Sequence, residues 1–413
     1  MTDLAWIDAA ITSARPQAMG ALLRYFRDLD AAEEAFQNAC LRALKTWPEK
    51  GPPRDPAAWL ILVGRNAGLD HARRQSRQQA LPDEAEISDL DDAEDALAHR
   101  LDGAHYRDDI LRLMFICCHP DLPATQQIAL ALRIISGLSV KQIARAFLVG
   151  ESAMEQRITR AKARVARSGA SFETPGPVER SERLGAVAAM LYLVFNEGYS
   201  AGADAQADRA PLSAEAIRLS QLLLRLFPSE PELMGLAALM LLHHARAAAR
   251  FDADGQIVLM DDQDRGLWDK AKIAEALALI DKAVRHRQPG PYQVKAAIAA
   301  LHCRAPTPAD VDWAQIDRLY ATLEVLEPSP VVTLNRAVAV LRVRGADAAL
   351  ELVEPLGDRL DGYFHFHGLR GALLRDLGRT REARECFGRA IALANTPAEA
   401  AHIREHLDRL GAC

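Results

Sequence analysis

Aromatic side chains are scarce in this chain: Phe, Trp and Tyr make up 6% of its 413 residues. Few stretches alternate with period two, so an all-α fold is expected. Cysteine is sparse too. The six cysteines are scattered, only Cys117 and Cys118 adjoin, and no C-x-x-C occurs. Adjacent cysteines rarely bridge each other, so free thiols in a reducing cytoplasm are expected. "CCHP" lacks the second ligand cluster that a zinc site needs, and His365 and His367 in "YFHFHG" have no further ligands at zinc-like spacing. No run reaches the roughly 18 apolar residues of a membrane span. The N-terminal "MTDLAWIDAAITSARPQAMG" has neither the basic start nor the apolar run of a signal peptide. No phosphate loop, nucleophile–base spacing or metal cluster stands out, so no enzyme, cofactor or metal is expected.

What is present is an acidic, apolar-rich chain. Hydrophobic residues make up 49% and charged residues 26%, with a formal net charge of −6. That composition fits a globular protein with real cores, and the length predicts two to four domains. A pI near 6.1 argues against a general nucleic-acid coater but not against a binder whose positive charge is local.

Charge and proline divide the chain. Residues 1–77 end in a basic cluster. Residues 78–105 contain "LPDEAEISDLDDAEDALA", which carries eight acids and no base, the composition of an extended linker. Apolar periodicity returns over 106–170, and "SGASFETPGPVER" breaks it again with Pro175 and Pro177. The remainder reads as a helical domain over 171–285 and helical repeats over 286–413. Ala349 and Ala383 sit 34 positions apart in similar helices, the period of tetratricopeptide (TPR) helix pairs, with a looser copy around Ala276.

"LSVKQIARAFLVGESAMEQRITRAKARV" reads as two short helices with a tight turn at Gly150. Ser139 with Gln142, and Ser152 with Glu155, fit the capping-box pattern. Met154, Ile158, Ala161 and Val165 form one apolar face of the second helix. Ser152, Gln156, Arg157, Arg160 and Arg164 belong to its polar side, with Lys162 and Arg167 flanking. Such a helix suits the major groove, where arginine forks meet guanine and flanking cations meet phosphate. An ordinary surface hairpin with solvated charge is the alternative.

Upstream, "RDPAAWLILVGRNAGLDHARRQSR" predicts a helix starting at Pro56. Trp59 lies near its start, and Asn66, Asp70, Arg73 and Arg77 share one face, with Arg74 adjacent. Arg65 falls on the apolar side and is expected to be buried against a carboxylate. In "DLDAAEEAFQNACLRALKTWPEK", Phe36, Cys40 and Leu44 predict the buried stripe. Asp30, Glu33, Glu34 and Gln37 lie opposite, as an acidic face for a basic partner. Both polar faces could instead be plain solvated surface.

These blocks, in this order, resemble the extracytoplasmic function (ECF) sigma factors of the sigma-70 family. The resemblance covers about residues 8–168. It implies an all-α protein: two small helical sigma domains (region 2, and region 4 with its helix-turn-helix) joined by the acidic linker and followed by a large TPR-like helical domain. It implies that Asp30, Glu33, Glu34 and Gln37 meet core RNA polymerase at the beta-prime clamp, with the beta flap as a further contact. Trp59, Asn66, Asp70, Arg73, Arg74 and Arg77 would open and read the minus-10 element of promoter DNA. Ser152, Gln156, Arg157, Arg160 and Arg164 would read the minus-35 element. The basic residues at 73, 74 and 77 suit a single-strand backbone. Because aromatics are few here, Trp47, placed by the sequence near a loop over 46–56, is a candidate for base capture.

The stretches "YLVFNEGYSA", "DDQDRGLWD" and "GPYQVKAAIAALH" resemble an ECF subgroup whose extension regulates the factor in cis. Two clusters there are candidates for holding a peptide or small effector: Asn196, Glu197 and Tyr199, and Asp264, Arg265 and Trp268, with an Asp264–Arg265 ion pair expected. Interior polar pairing that sets helix register is the competing reading. "FDADGQIVLMDD" predicts a short hairpin turning at Asp254-Gly255. The runner-up function is a ligand-sensing helix-turn-helix regulator that does not bind core polymerase.

Overall fold

The structure is a computed structural model that describes residues 5–51, 53–76, 104–119, 121–147, 149–167, 177–199, 203–252, 255, 257–394 and 397–411. Its described elements are helices and short 3-10 turns, with one isolated antiparallel bridge between Phe251 and Ile257. The chain forms two units, Met1–Val194 and Phe195–Cys413. The acidic run over 78–103 lies outside the described residues.

The first unit begins with three helices, α1 (Ala5–Phe26), α2 (Leu29–Lys50) and α3 (Pro56–Ser76), each packed on the other two. Asp28 starts α2 by accepting from the Ala31 amide at 2.7 Å. Asp55 starts α3 by accepting from Ala57 and Ala58 at 2.9 and 3.1 Å, with Pro56 in the first turn, where a missing N–H costs nothing. The buried stripe of α2 is Ala32, Ala35, Phe36, Ala39, Ala43 and Trp47. This corrects the expected Phe36–Cys40–Leu44 stripe, because Leu44 is 48% exposed. Small residues face the neighbours because these helices cross closely. At Gly64 of α3 an added Cβ would stand 3.0 Å from the Ala35 carbonyl oxygen. Trp47 is 2% exposed, stacked on Trp6 and edge-on to Trp59. It is a core residue inside α2, which rules out base capture. Arg65 is exposed and lies 4.5 Å over the Tyr25 ring; the expected burial against a carboxylate does not occur.

Four more helices follow: α4 (Ala104–Cys117), α5 (Ala124–Ile134), α6 (Val140–Ala146) and α7 (Glu151–Arg167). The capping box of Ser139 and Gln142 starts α6. Helix α7 begins at Glu151, so Ser152 sits inside its first turn rather than capping it. Met154, Ile158, Ala161 and Val165 are its buried residues, as expected. Cys117 and Cys118 are free and buried, and burial pushes the Cys118 thiol up to about 12. Helix α8 (Pro177–Tyr199) closes the first unit and opens the second.

The second unit stacks helices against their sequence neighbours: α9 (Ala203–Leu226), α10 (Pro231–Ala245), α11 (Lys270–Val284), α12 (Pro291–Arg304), α13 (Trp313–Leu326), α14 (Pro330–Arg344), α15 (Ala346–Val353), α16 (Gly357–Leu360), α17 (Phe364–Asp376), α18 (Thr380–Leu393) and α19 (Pro397–Gly411). Helix α10 is its hub, buried nearly throughout and packed on α9, α11 and α12. Gly235 makes this possible, since a Cβ there would meet the Gln293 amide at 2.5 Å. Glu232 fills the N-terminus of α12, accepting from the amides of Tyr292 and Gln293 at 3.1 and 3.2 Å, where the helix dipole favours a carboxylate. Ala276, Ala349 and Ala383 are all fully buried. His367 is held by the Asp361 carbonyl at 2.7 Å. The bridge at Phe251–Ile257 and the positive φ of Gly255 agree with a turn there, while Asp254 lies outside the described residues.

Two histidines in this hub titrate far from their ordinary value. Burial first, then Arg246, Arg250 and His302, push His243 down to about 3. Burial, then Arg246 and Arg265 against the opposing pull of Asp261, push His302 down to about 4. Both rings are neutral in the folded state and take a proton on unfolding below the ordinary value. Their contribution is therefore intact above about pH 6.5 and is lost as pH falls toward 4. At pH 5 each should lower stability by about 2 kcal/mol. Urea unfolding of the full chain at pH 7.5 and 5.0 measures this, and His243→Gln should shrink the difference by about 2 kcal/mol.

Candidate polymerase and nucleic-acid interface

The helix-turn-helix presents its charge outward. Ser152, Gln156, Arg160 and Arg164 are exposed and Arg157 is half-buried, opposite the apolar face of α7. Arg164 donates to the Asp121 carbonyl at 3.0 Å and Arg167 to Ala163 at 3.1 Å. Among the described residues Arg157 and Arg160 have no polar partner, which leaves their guanidinium forks open to a groove.

On α3, Asn66 is exposed and Trp59 is half-buried, its ring 5.3 Å from that of Trp47. Asp70, Arg73 and Arg74 continue the same helix; Arg77 lies outside the described residues. Trp59 is thus held by the core on one side and accessible on the other.

The acidic face of α2 is divided. Asp30, Glu34 and Gln37 are exposed, but Glu33 is 5% exposed. Its carboxylate takes Arg133 of α5 at 2.6 Å and Lys162 of α7 at 2.7 Å. Lys162 also reaches Asp30 at 2.7 Å. Burial lowers the Lys162 ammonium, but its bonds to Asp30 and Glu33 outweigh this and leave it above the ordinary lysine value. These groups line a cleft of about 290 Å³ with Glu155, Ile158 and Thr159.

A second arginine reinforces the same joint. Arg15 of α1, 9% exposed, donates from Nε to the Ile134 carbonyl at 2.9 Å and from Nη2 to that of Arg133 at 3.1 Å. It thereby satisfies the orphan carbonyls at the end of α5. Its stem runs against Gly137, whose φ of +76° turns the chain and where a Cβ would stand 2.9 Å from Arg15 Cδ. Helix α1 also meets α4 at Gly20, where a Cβ would lie 2.9 Å from the Asp109 backbone. Asp109 is buried between Arg112 at 2.9 Å and Arg24 at 3.5 Å. The N-terminal helices and the helix-turn-helix are therefore clasped together. Arg15, Arg133, Lys162 and Asp109 were not singled out as joint residues from the sequence. One signal was legible: Arg15 lies on the face of α1 that carries Ala18, Met19 and Leu22.

In the second unit, Asn196, Glu197 and Tyr199 are half-buried. Tyr199 packs on Phe195 and His243, and Arg250 lies 3.9 Å over its ring. Asp264 does not pair with Arg265, contrary to expectation. It accepts from the Gly266 amide at 2.7 Å and so caps its own 3-10 turn. Arg265 instead donates to the carbonyls of His302 and Ala305 at 2.7 and 2.8 Å. Trp268 is buried and anchors the segment, as expected.

Glu33→Gln leaves Arg133 half-buried with a neutral partner and Lys162 with Asp30 as its remaining carboxylate. It should destabilise the first unit by roughly 3 kcal/mol, the scale of a broken buried ion pair, read as a lower urea midpoint. An unchanged midpoint would mean that the clasp contributes nothing.

Comparison with known proteins bears on both modules. Residues 10–78 match the family model of Sigma-70 region 2, residues 112–165 that of Sigma-70, region 4, and residues 183–284 that of a family of unknown function, DUF6596. A protein of Rhizobium meliloti (strain 1021) named "Uncharacterized protein R00370" is 70% identical over 412 residues, which is 100% of this chain and 97% of the relative. With both sigma regions matched in order over the two clasped modules, the chain belongs to the sigma-70 family: it is an ECF-type sigma factor with a C-terminal helical extension, a non-enzymatic subunit that directs promoter recognition.

Proposed function

We propose that this sigma factor is closed as described and must open to work, with its extension governing that step in cis. Region 2 (residues 1–77) docks on the beta-prime clamp of core polymerase through Asp30, Glu33, Glu34 and Gln37, and region 4 (106–170) also meets the beta flap. Trp59, Asn66, Asp70, Arg73, Arg74 and Arg77 capture and melt the minus-10 element. Ser152, Gln156, Arg157, Arg160 and Arg164 read the minus-35 element. The residues from 78 to 105 are the tether. The helical domain over 171–285 and the TPR-like domain over 286–413 receive a peptide or small effector. Such a protein works in the cytoplasm.

The observation that carries this reading is the engagement of Glu33 by Lys162. The residue assigned to polymerase is buried against the helix assigned to DNA. The two promoter elements are separated by roughly 25 base pairs, about 85 Å at 3.4 Å per base pair. Modules joined by hydrogen bonds cannot reach both. A tether over 78–105, 28 residues of sequence, has a contour length of roughly 90 Å, enough to permit separation. The fully buried Ala349 and Ala383, 34 positions apart, support the TPR-like reading of the extension.

Run-off transcription with core polymerase, on the promoter upstream of the gene, tests the proposal. Full-length protein should co-purify with core enzyme and initiate there. Arg160→Ala should weaken initiation 5- to 150-fold, about 1–3 kcal/mol for a base contact, without loss of core binding. Truncation after Val194 keeps the first unit whole. Higher activity of that fragment identifies the extension as a mask, and lower activity with retained core binding identifies it as a required part. Failure of the full chain to bind core enzyme would favour the regulator that acts without polymerase.

A further inference from the structure

Among the described residues of the second unit, Arg246 and the half-buried Arg265 hold their guanidinium groups without a carboxylate partner. Arg246, 5% exposed, follows α10, and its one polar partner among the described residues is Nδ1 of His243 at 3.1 Å. Arg265 uses Nη1 alone, on the carbonyls of His302 and Ala305. Its guanidinium lies 4.6 Å over the Trp268 ring, and among the described residues its buried Nε and Nη2 have no partner. Nε1 of Trp268 is likewise buried and, among the described residues, unpartnered. The 3-10 turns Ala247–Ala249 and Arg265–Leu267 touch. Both arginines act on the His302 ring and on the Cys303 thiol, so they share one neighbourhood.

Four acids of this unit are committed elsewhere. Asp261 is held by Arg342 at 2.6 Å. Asp264 caps Gly266, Asp269 caps and pairs with Lys272, and Glu232 fills the start of α12. A buried guanidinium with unmade hydrogen bonds is costly, and each such group calls for a partner. The atoms left over are informative. Nε and Nη2 point the same way along one edge of the guanidinium, and that edge is the fork that matches two oxygens of a carboxylate or phosphate. Meanwhile Nη1 and the Trp268 face hold the group in place before any ligand arrives, which lowers the ordering cost of binding.

We propose that the Nε/Nη2 edge of Arg265, with Trp268 and Arg246 beside it, binds a small oxyanion, the carboxylate or phosphate group of an effector. This deepens the effector reading given above and rests on it.

The test is thermal unfolding of the full-length protein in chloride buffer, titrated at constant ionic strength and pH 7.5 with inorganic phosphate, acetate or citrate. Phosphate alone acting identifies a phosphate ligand, and acetate or citrate acting identifies a carboxylate. The expected result is a saturable rise in Tm with at least one of them. At 100 times its Kd, a ligand raises the folded-to-unfolded ratio about 100-fold. The rise should survive Arg160→Ala, which removes an exposed cation of α7, and vanish in Arg265→Lys, which keeps the charge but loses the fork. Should Arg265→Lys fail to fold, Arg246→Met serves in its place, with a reduced response expected. No saturable rise in the wild-type protein, or a rise unchanged in the folded variant, overturns the site. Binding without any change in run-off transcription leaves the site standing and removes the effector reading instead.

Discussion

A charge taken out of water must be met by opposite charge or by oriented dipoles, and that demand organises the first unit of this molecule. Glu33 is the fullest case. Its carboxylate is buried on α2, and it is stable there because Arg133 and Lys162 arrive from two different helices of the other module. Arg15 meets the same demand with backbone carbonyls at the end of α5. Asp109 meets it with two arginines. Buried ions contribute little net stability when compared with apolar packing, but they are strict about geometry, because a misplaced partner leaves a charge uncompensated. The joint between the sigma regions is accordingly specific.

Close helix crossing is the second organising constraint. An Ala-rich chain with few aromatics cannot fill wide gaps, so its helices approach until backbones nearly touch. Gly20 and Gly64 in the first unit, and Gly235 in the second, stand where a Cβ would collide with a neighbouring backbone. The hub helix α10 is buried nearly all round for the same reason.

Local features were legible in the sequence and distant ones were not. The apolar face of α7 and the capping box of α6 depend on residues within a few positions of each other, and both are present. The α2 stripe was misassigned because hydrophobicity draws attention to large residues such as Leu44, whereas tight packing buries the small ones beside them, Ala39 and Ala43. Arg65 was misjudged similarly: a long side chain can leave an apolar face and lie on an aromatic ring instead. The clasp was invisible because Glu33 and Lys162 are 129 positions apart, and either one alone looks like ordinary solvated charge. Asp264 and Arg265 show the reverse error, since adjacency in sequence suggested a pair and each is bound to a different backbone group instead.

The position of Lys162 on α7 has a consequence for assembly. It faces inward to α2 while Arg160 faces outward on the same helix, so in the proposed reading one rigid element would serve both closure and duplex contact. Where a protein must leave a closed form before either of two partners can be held, both affinities fall by the same factor, the fraction of open molecules. Whichever partner arrives first removes that penalty for the second. Core enzyme and promoter would then reinforce each other's capture through this one equilibrium, with no direct contact between them needed to explain their cooperation.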